Sequence, residues 1–146
     1  MPAKANFWAR RQARRALVQA LYQWQMTGGE ISVVESQFSD GKTLAKADVA
    51  FFTELLRGVV RDPDAMDQVY AAHLDRAVKD LNHVERAVLR LGCFELLRRI
   101  DVPYRVVVSE YVELAKTFGA KDSYKYINGI LDQVAKEQRT VEWGES

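Results

Sequence analysis

A chain of 146 residues, 48% apolar and 28% charged, is long enough to bury one hydrophobic core and too apolar to stay disordered. A single cysteine, Cys93, excludes an internal disulfide and a cysteine-rich zinc site, and eight glycines with three prolines are too few for the turns of a sandwich or barrel. The net charge of +1 points to no nucleic-acid partner by itself, and neither a membrane-length apolar run nor the apolar core of a secretory signal is present.

The elements read as helices in chain order. Residues 1–8 read as a mobile arm, followed by a helix over about Ala9–Met26 that Gly28-Gly29 ends. Its apolar stripe is Ala13, Leu17, Ala20, Leu21 and Trp24. A short helix over Ser32–Phe38 stops at Ser39-Asp40-Gly41, and Lys46–Arg61 forms the next, with Val49, Phe52, Leu55, Leu56 and Val59 in register. Asp62 caps a further helix that has Pro63 at its first position and runs to about Leu74. Asn82 and Glu85 have capping-box spacing and open a helix to about Ile100. Apolar residues lie on two sides of that helix, which predicts a central, buried element. Asp101-Val102-Pro103 starts the next helix, which ends at Gly119; Val106–Val108 could read as a strand, but the stripe Val107, Tyr111, Leu114, Ala115, Phe118 decides for helix. Asp122-Ser123 caps a last helix from about Tyr124 to Gln138, with Gly129 read as a point of close helix packing. Residues 140–146 read as a frayed tail. The result is one all-α domain over residues 1–146.

Charge is distributed unevenly. No Asp or Glu occurs before Glu30, whereas Lys4, Arg10, Arg11, Arg14 and Arg15 all do. A helical wheel is read as placing Arg11, Arg14, Arg15, Tyr22 and Gln25 on one exposed face opposite the core stripe. Guanidiniums pair with phosphates and stack on bases, tyrosine is a stacking platform, and glutamine can bond a base edge, so the face suits single-stranded RNA. The plainer reading is a solvated basic face. Catalytic patterns are missing: His73 and His83 lack metal-pair spacing, Cys93 sits among apolar residues, and there is no Gly-rich phosphate loop. These observations predict no catalytic residue, no metal and no cofactor.

Four segments together resemble the NusB family of transcription antitermination factors. They are Ala13–Gln25 (ARRALVQALYQWQ), Val84–Leu91 (VERAVLRL), Asp101-Val102-Pro103, and Glu113–Asp132 (ELAKTFGAKDSYKYINGILD). The resemblance implies a bundle of about seven helices in two subdomains packed roughly at right angles. It implies a cytoplasmic, non-enzymatic protein that pairs with NusE, a small-subunit ribosomal protein. The pair would bind boxA RNA within the RNA polymerase antitermination complex and support ribosomal RNA transcription. By position, Arg10, Arg11 and Arg14 match the family's arginine-rich start, and Tyr22 its first-helix tyrosine. Asp122, beside Lys121, matches an acidic loop position associated with RNA, although it is also well placed to cap a helix. Glu85 is a candidate at the NusE junction, and also a capping residue. Tyr124 departs from a frequent histidine, and Gly92-Cys93 from more ordinary helix formers. Relatives occur as monomers and homodimers, so a homodimer is open.

Two other readings remain. NusB-like domains also precede ribosomal RNA cytosine methyltransferases, but a chain ending at Ser146 has no room or Gly-rich loop for a cofactor domain. A protein-only helical scaffold with solvated arginines is the other.

Overall fold

A computed structural model describes the backbone of residues 3–144 and the side chains of residues 6–144. The described residues form eight α-helices and one 3₁₀ turn. In chain order these are α1 (Ala3–Thr27), α2 (Ile31–Ser39), α3 (Val49–Arg61), α4 (Pro63–Ala71), the turn Val78–Asp80, α5 (His83–Arg98), α6 (Tyr104–Phe118), α7 (Ser123–Gln138) and α8 (Thr140–Gly144). None is long and apolar enough to cross a membrane.

Helix starts follow local chemistry. The N–H of Phe51 donates to Asp48 at 3.0 Å, and that of Ala65 to Asp62 at 3.1 Å, with Pro63 inside the first turn of α4. Asn82 and Glu85 close a reciprocal capping box at 2.8 and 3.1 Å. Pro103 offers α6 no side-chain acceptor, so the N–H of Tyr104 donates instead to Glu142, 2.7 Å away on α8. Val107 and Val108 are buried in α6, where packing overrides their strand propensity.

As its two apolar sides predict, α5 is the central element, in contact with α1, α3, α4, α6 and α7. α1 packs on α2, α3, α5 and α6, and α7 lies against α6 and α8. The close approach of α5 to α7 occurs at Gly92, where a Cβ would stand 3.0 Å from Leu131 Cδ2. It does not occur at Gly129, where the same atom would meet nothing within 4 Å, so Gly129 is a solvent-facing position.

Several expected boundaries shift. Helix α1 already begins at Ala3, so most of the expected arm is helical; residues 1 and 2 lie outside the described segment, as does the side chain of Lys4. Helix α3 starts at Val49 rather than Lys46, because Asp48 is its cap, and α4 stops at Ala71. Helix α5 stops at Arg98, which leaves Ile100 76% exposed rather than on the core stripe. The stretch expected to fray forms α8 up to Gly144, and its Trp143 ring lies 5.0 Å from that of Tyr104.

Both shifts near residue 100 trace to Arg139. Its guanidinium is 6% exposed and donates to the carbonyls of Leu96 (2.7 Å), Val102 (2.9 Å), Arg99 (3.0 Å) and Glu95 (3.3 Å). One cation thus bonds the Leu96 carbonyl at the end of α5 and the Val102 carbonyl before α6, adds a second donor to the Glu95 and Arg99 carbonyls, and favours the negative end of the α5 dipole. It also holds Glu142 at 2.7 Å, which is the carboxylate that caps α6.

Candidate nucleic-acid interface

The arginines of α1 do not share one fate. Arg14 is 1% exposed and donates twice to Glu95, at 2.7 and 3.0 Å. Glu95 is fully buried and also accepts from the Tyr111 hydroxyl at 2.7 Å, while Glu110 lies 3.5 Å from Arg14. Burial pushes the Tyr111 hydroxyl well above its ordinary pKa, and the carboxylate of Glu95 adds to the shift, so Tyr111 stays a donor. Arg14 therefore belongs to the core, and its assignment to the exposed face is corrected. The reason lies in its spacing: Leu17, Val18 and Leu21 follow at three, four and seven residues, which is the core stripe of a 3.6-residue helix.

Arg10 is also drawn inward. It contacts Asp48 at 3.6 Å and Asp101 at 3.3 Å, and its guanidinium lies 5.0 Å from the centre of the buried Phe51 ring. Arg14 and Arg99 flank the same ring, each at 5.1 Å, so Phe51 sits among three cations. Gln25 is spent as well. Its amide donates to the carbonyl of His83 at 2.8 Å, and its oxygen accepts from Arg90 at 3.0 Å. Arg90 in turn pairs with Asp67 at 2.8 Å, and Tyr70 donates to that carboxylate at 2.6 Å. Gln25 thus ties α1 to α5 and α4 and has no free edge to read a base. These two networks, one around Arg14 and one around Arg90, anchor α1 at separate points and fix which of its faces stays open.

The open face carries Arg11, Arg15 and Tyr22. Arg11 forms a two-pronged pair with Glu110, at 3.1 and 2.8 Å, yet 42% of its side chain remains exposed beside Phe7 and Trp8. That pairing raises the Arg11 pKa above its ordinary value, so the cation persists at any working pH. Arg15 is exposed, lies 5.2 Å from the centre of the Phe118 ring, and has no carboxylate partner among the described residues. Tyr22 is 40% exposed and meets His83 edge-on at 6.0 Å. Phe118, read from sequence as an inward residue, does pack against the core, and the part of its ring left open on the last turn of α6 also supports the Arg15 cation.

Lys121 and Asp122 are exposed on the α6–α7 loop. Asp122 precedes α7 but makes no side-chain cap, because its backbone is left-handed, at φ 68°. Its carboxylate is instead approached by Lys125 Nζ, from the first turn of α7, to 3.7 Å. The expected cap is thus absent, and a residue held in this region is stabilised by its surroundings. Gly119 helps to hold the loop. A Cβ there would stand 2.6 Å from the carbonyl oxygen of Ala115 and 2.7 Å from Ser123 Oγ. Gly119→Ala is expected to cost about 1–3 kcal/mol in urea unfolding and to shift the amide resonances of residues 120–124; unchanged stability and resonances would show that the loop absorbs the methyl group.

Glu85 is 8% exposed and committed to its capping box, which accounts for one carboxylate oxygen. Among the described residues no three His, Cys, Asp or Glu side chains gather as a metal site. Cys93 is fully buried and its thiol is pushed up by desolvation, which keeps it un-ionised and unreactive.

The family model for the NusB family matches residues 11–136. The chain belongs to the NusB family. Transcription antitermination protein NusB of Alcanivorax borkumensis is 51% identical over 137 residues, covering 94% of this chain and 91% of that protein. The protein of the same name from Yersinia pestis is 50% identical over 131 residues, covering 90% and 95%. Among solved structures, T. maritima NusB superposes with a TM-score of 0.76 at 32% identity, covering 88% of this chain and 91% of that one. A crystal structure of antitermination factors NusB and NusE in complex with dsRNA superposes with a TM-score of 0.78 at 26% identity, covering 87% and 96%. The NusB-like, all-helical fold and the non-enzymatic character implied by the resemblance are thereby established. These NusB relatives are nearly filled by the match, which leaves no space in them for a methyltransferase domain.

Proposed function

We propose that this chain is a cytoplasmic transcription antitermination factor that binds boxA-type RNA together with NusE and supports ribosomal RNA transcription. The observation that carries the RNA contact is Arg15, an exposed guanidinium over Phe118 with no carboxylate partner among the described residues, on a helix that lacks acidic residues. Arg11 and Tyr22 extend this face, and the Lys121–Asp122 loop supplies a cation and an acceptor for a base amino group. Beside it lies a groove of about 610 Å³ lined by Val18, Tyr22, Met26, Phe38, Val84 and Phe118. Its apolar floor of Met26, Phe38 and Val84 is suited to a protein partner seated beside the RNA face, which leaves the exposed edge of Tyr22 to a base. The related complex supports both partners but contains duplex RNA, so strandedness belongs in the test.

Fluorescence anisotropy decides the reading, using a boxA-like single strand, a scrambled strand and a duplex, each with and without NusE. We expect the boxA strand to bind best and NusE to tighten it. Tyr22→Ala should weaken binding by about fivefold or more, the value of one lost base stack. Arg15→Ala should lower the slope of log K against log salt by about 0.7, one phosphate contact. Both variants should melt within a few degrees of the parent, since both side chains are exposed. Equal weak binding of every strand, unmoved by NusE, would favour a protein-only scaffold.

A further inference from the structure

A second groove, of about 830 Å³, runs between α6 and α7 and is closed at one end by α8. That volume lies within the range of about 300–1,000 Å³ typical of ligand pockets. Along α6 it extends from Lys116 to Tyr104, a rise of about 18 Å, which is room for several bases stacked about 3.4 Å apart. At the loop end, the Tyr124 ring is approached by Lys116 Nζ at 4.8 Å and Lys125 Nζ at 6.0 Å. At the α8 end, the Arg105 guanidinium lies 5.5 Å from the Tyr104 ring, beside Trp143. Arg105 is exposed and has no carboxylate partner among the described residues. Asn128 and Ser109 add an amide and a hydroxyl between the two ends.

Cations beside aromatic rings along one groove are the recurrent arrangement for an unpaired polynucleotide; here the part-exposed Tyr124 and Trp143 rings are the stacking surfaces, while Tyr104 is 5% exposed and serves to seat Arg105. Two carboxylates line it, Glu113 and Asp132, and Lys116 pairs with Glu113 at 3.1 Å as Lys125 does with Asp122 at 3.7 Å; these are exposed pairs that a phosphate can displace, whereas Arg105 needs no such exchange. The groove is also continuous with the face described above. Glu113 borders both this groove and a smaller one lined by Arg11 and Arg15, and Tyr124 follows the Lys121–Asp122 loop by two residues.

We infer that the α6–α7 groove is a secondary track for single-stranded RNA flanking the segment bound on α1, with Tyr124 as its entry platform and Arg105 as its far anchor. This rests on the RNA reading of the α1 face. The flanking strand leaves the α1 face across the Glu113–Lys116 ridge, and its phosphates meet Lys125, Lys116 and Arg105 in turn.

The test uses the full chain with NusE and three RNAs: the boxA-like strand alone, and the same strand lengthened by about six unpaired nucleotides at one end or the other, within the ~4–16 nucleotide span of such sites. One extension should tighten binding by about tenfold. Arg105→Ala and Tyr124→Ala should each remove most of that gain, while Arg105→Ala leaves affinity for the short strand unchanged. A 4-thiouridine in the extension should cross-link to peptides carrying residues 104–116 or 123–132. No gain from either extension, a gain that survives both variants, or cross-links confined to α1 would overturn the track. Protection of the groove by NusE alone, with no effect of RNA length, would assign it to a protein instead. Loss of short-strand binding would count against the α1 reading, whereas the cross-link reports on the groove alone.

Discussion

Arg14→Ala should destabilise the protein by about 3–5 kcal/mol, the range for removing one partner of a buried ion pair. The guanidinium is 1% exposed and its partner Glu95 fully buried, and the pair is two-pronged. Without the cation, Glu95 keeps the Tyr111 hydroxyl but remains a charge in a medium that solvates it poorly. For a domain of this size the loss corresponds to a fall in Tm of roughly 6–20 °C. The same variant will bind RNA poorly, but only because less of it is folded or because α1 has lost its anchor. The double replacement Arg14→Met with Glu95→Leu separates the two roles. Removing both charges together should recover most of the lost stability, and RNA affinity should recover with it. If Arg14→Ala instead melts like the parent and binds RNA many-fold more weakly, Arg14 is a contact and the core assignment is wrong.

Arg139→Ala should cost about 3 kcal/mol or more, because the carbonyls of Leu96 and Val102 lose the guanidinium where water has little access, while those of Glu95 and Arg99 keep only their backbone donors. The damage should reach α6, since Glu142 would no longer be positioned to accept from the Tyr104 N–H. Arg139→Lys should recover only a small part. An ammonium has no planar fork with which to span carbonyls on two sides. Urea unfolding gives the stability, and hydrogen exchange gives the location: amides at the start of α6 and in α8 should lose protection before those in the middle of α5. Full rescue by lysine would show that charge near the helix end, rather than the fork, is what matters. Because α8 also closes the α6–α7 groove, this variant should lower the affinity gain from a longer RNA strand as well.

The candidate face was legible in part. The absence of acidic residues before Glu30 correctly marks α1 as the cationic element, and Arg11, Arg15 and Tyr22 do stay accessible. Arg14 and Gln25 were misplaced on the open face because their partners come from other parts of the chain, and Arg10, matched only to the family's arginine-rich start, is likewise drawn toward Asp48 and Asp101. Glu95 is 81 residues from Arg14, and Arg90 is 65 from Gln25. An arginine on a helix looks solvated until a buried carboxylate is known to face it. The seven-residue step from Arg14 to Leu21 was a local warning, since it is two helical turns along the core stripe. The frayed tail failed for the same reason: Arg139 looks like a surface cation until the end of α5 is placed beneath it.

The linear chain determined those features that depend on neighbours along the backbone. These are the helices and their caps at Asp62 and Asn82, the central place of α5, and the family, whose motifs are long contiguous runs. Tertiary structure alone decided which charges are spent inside the molecule and which are left for a ligand. That partition depends on pairings between residues far apart in sequence, each stable only where burial removes the water that would otherwise screen it.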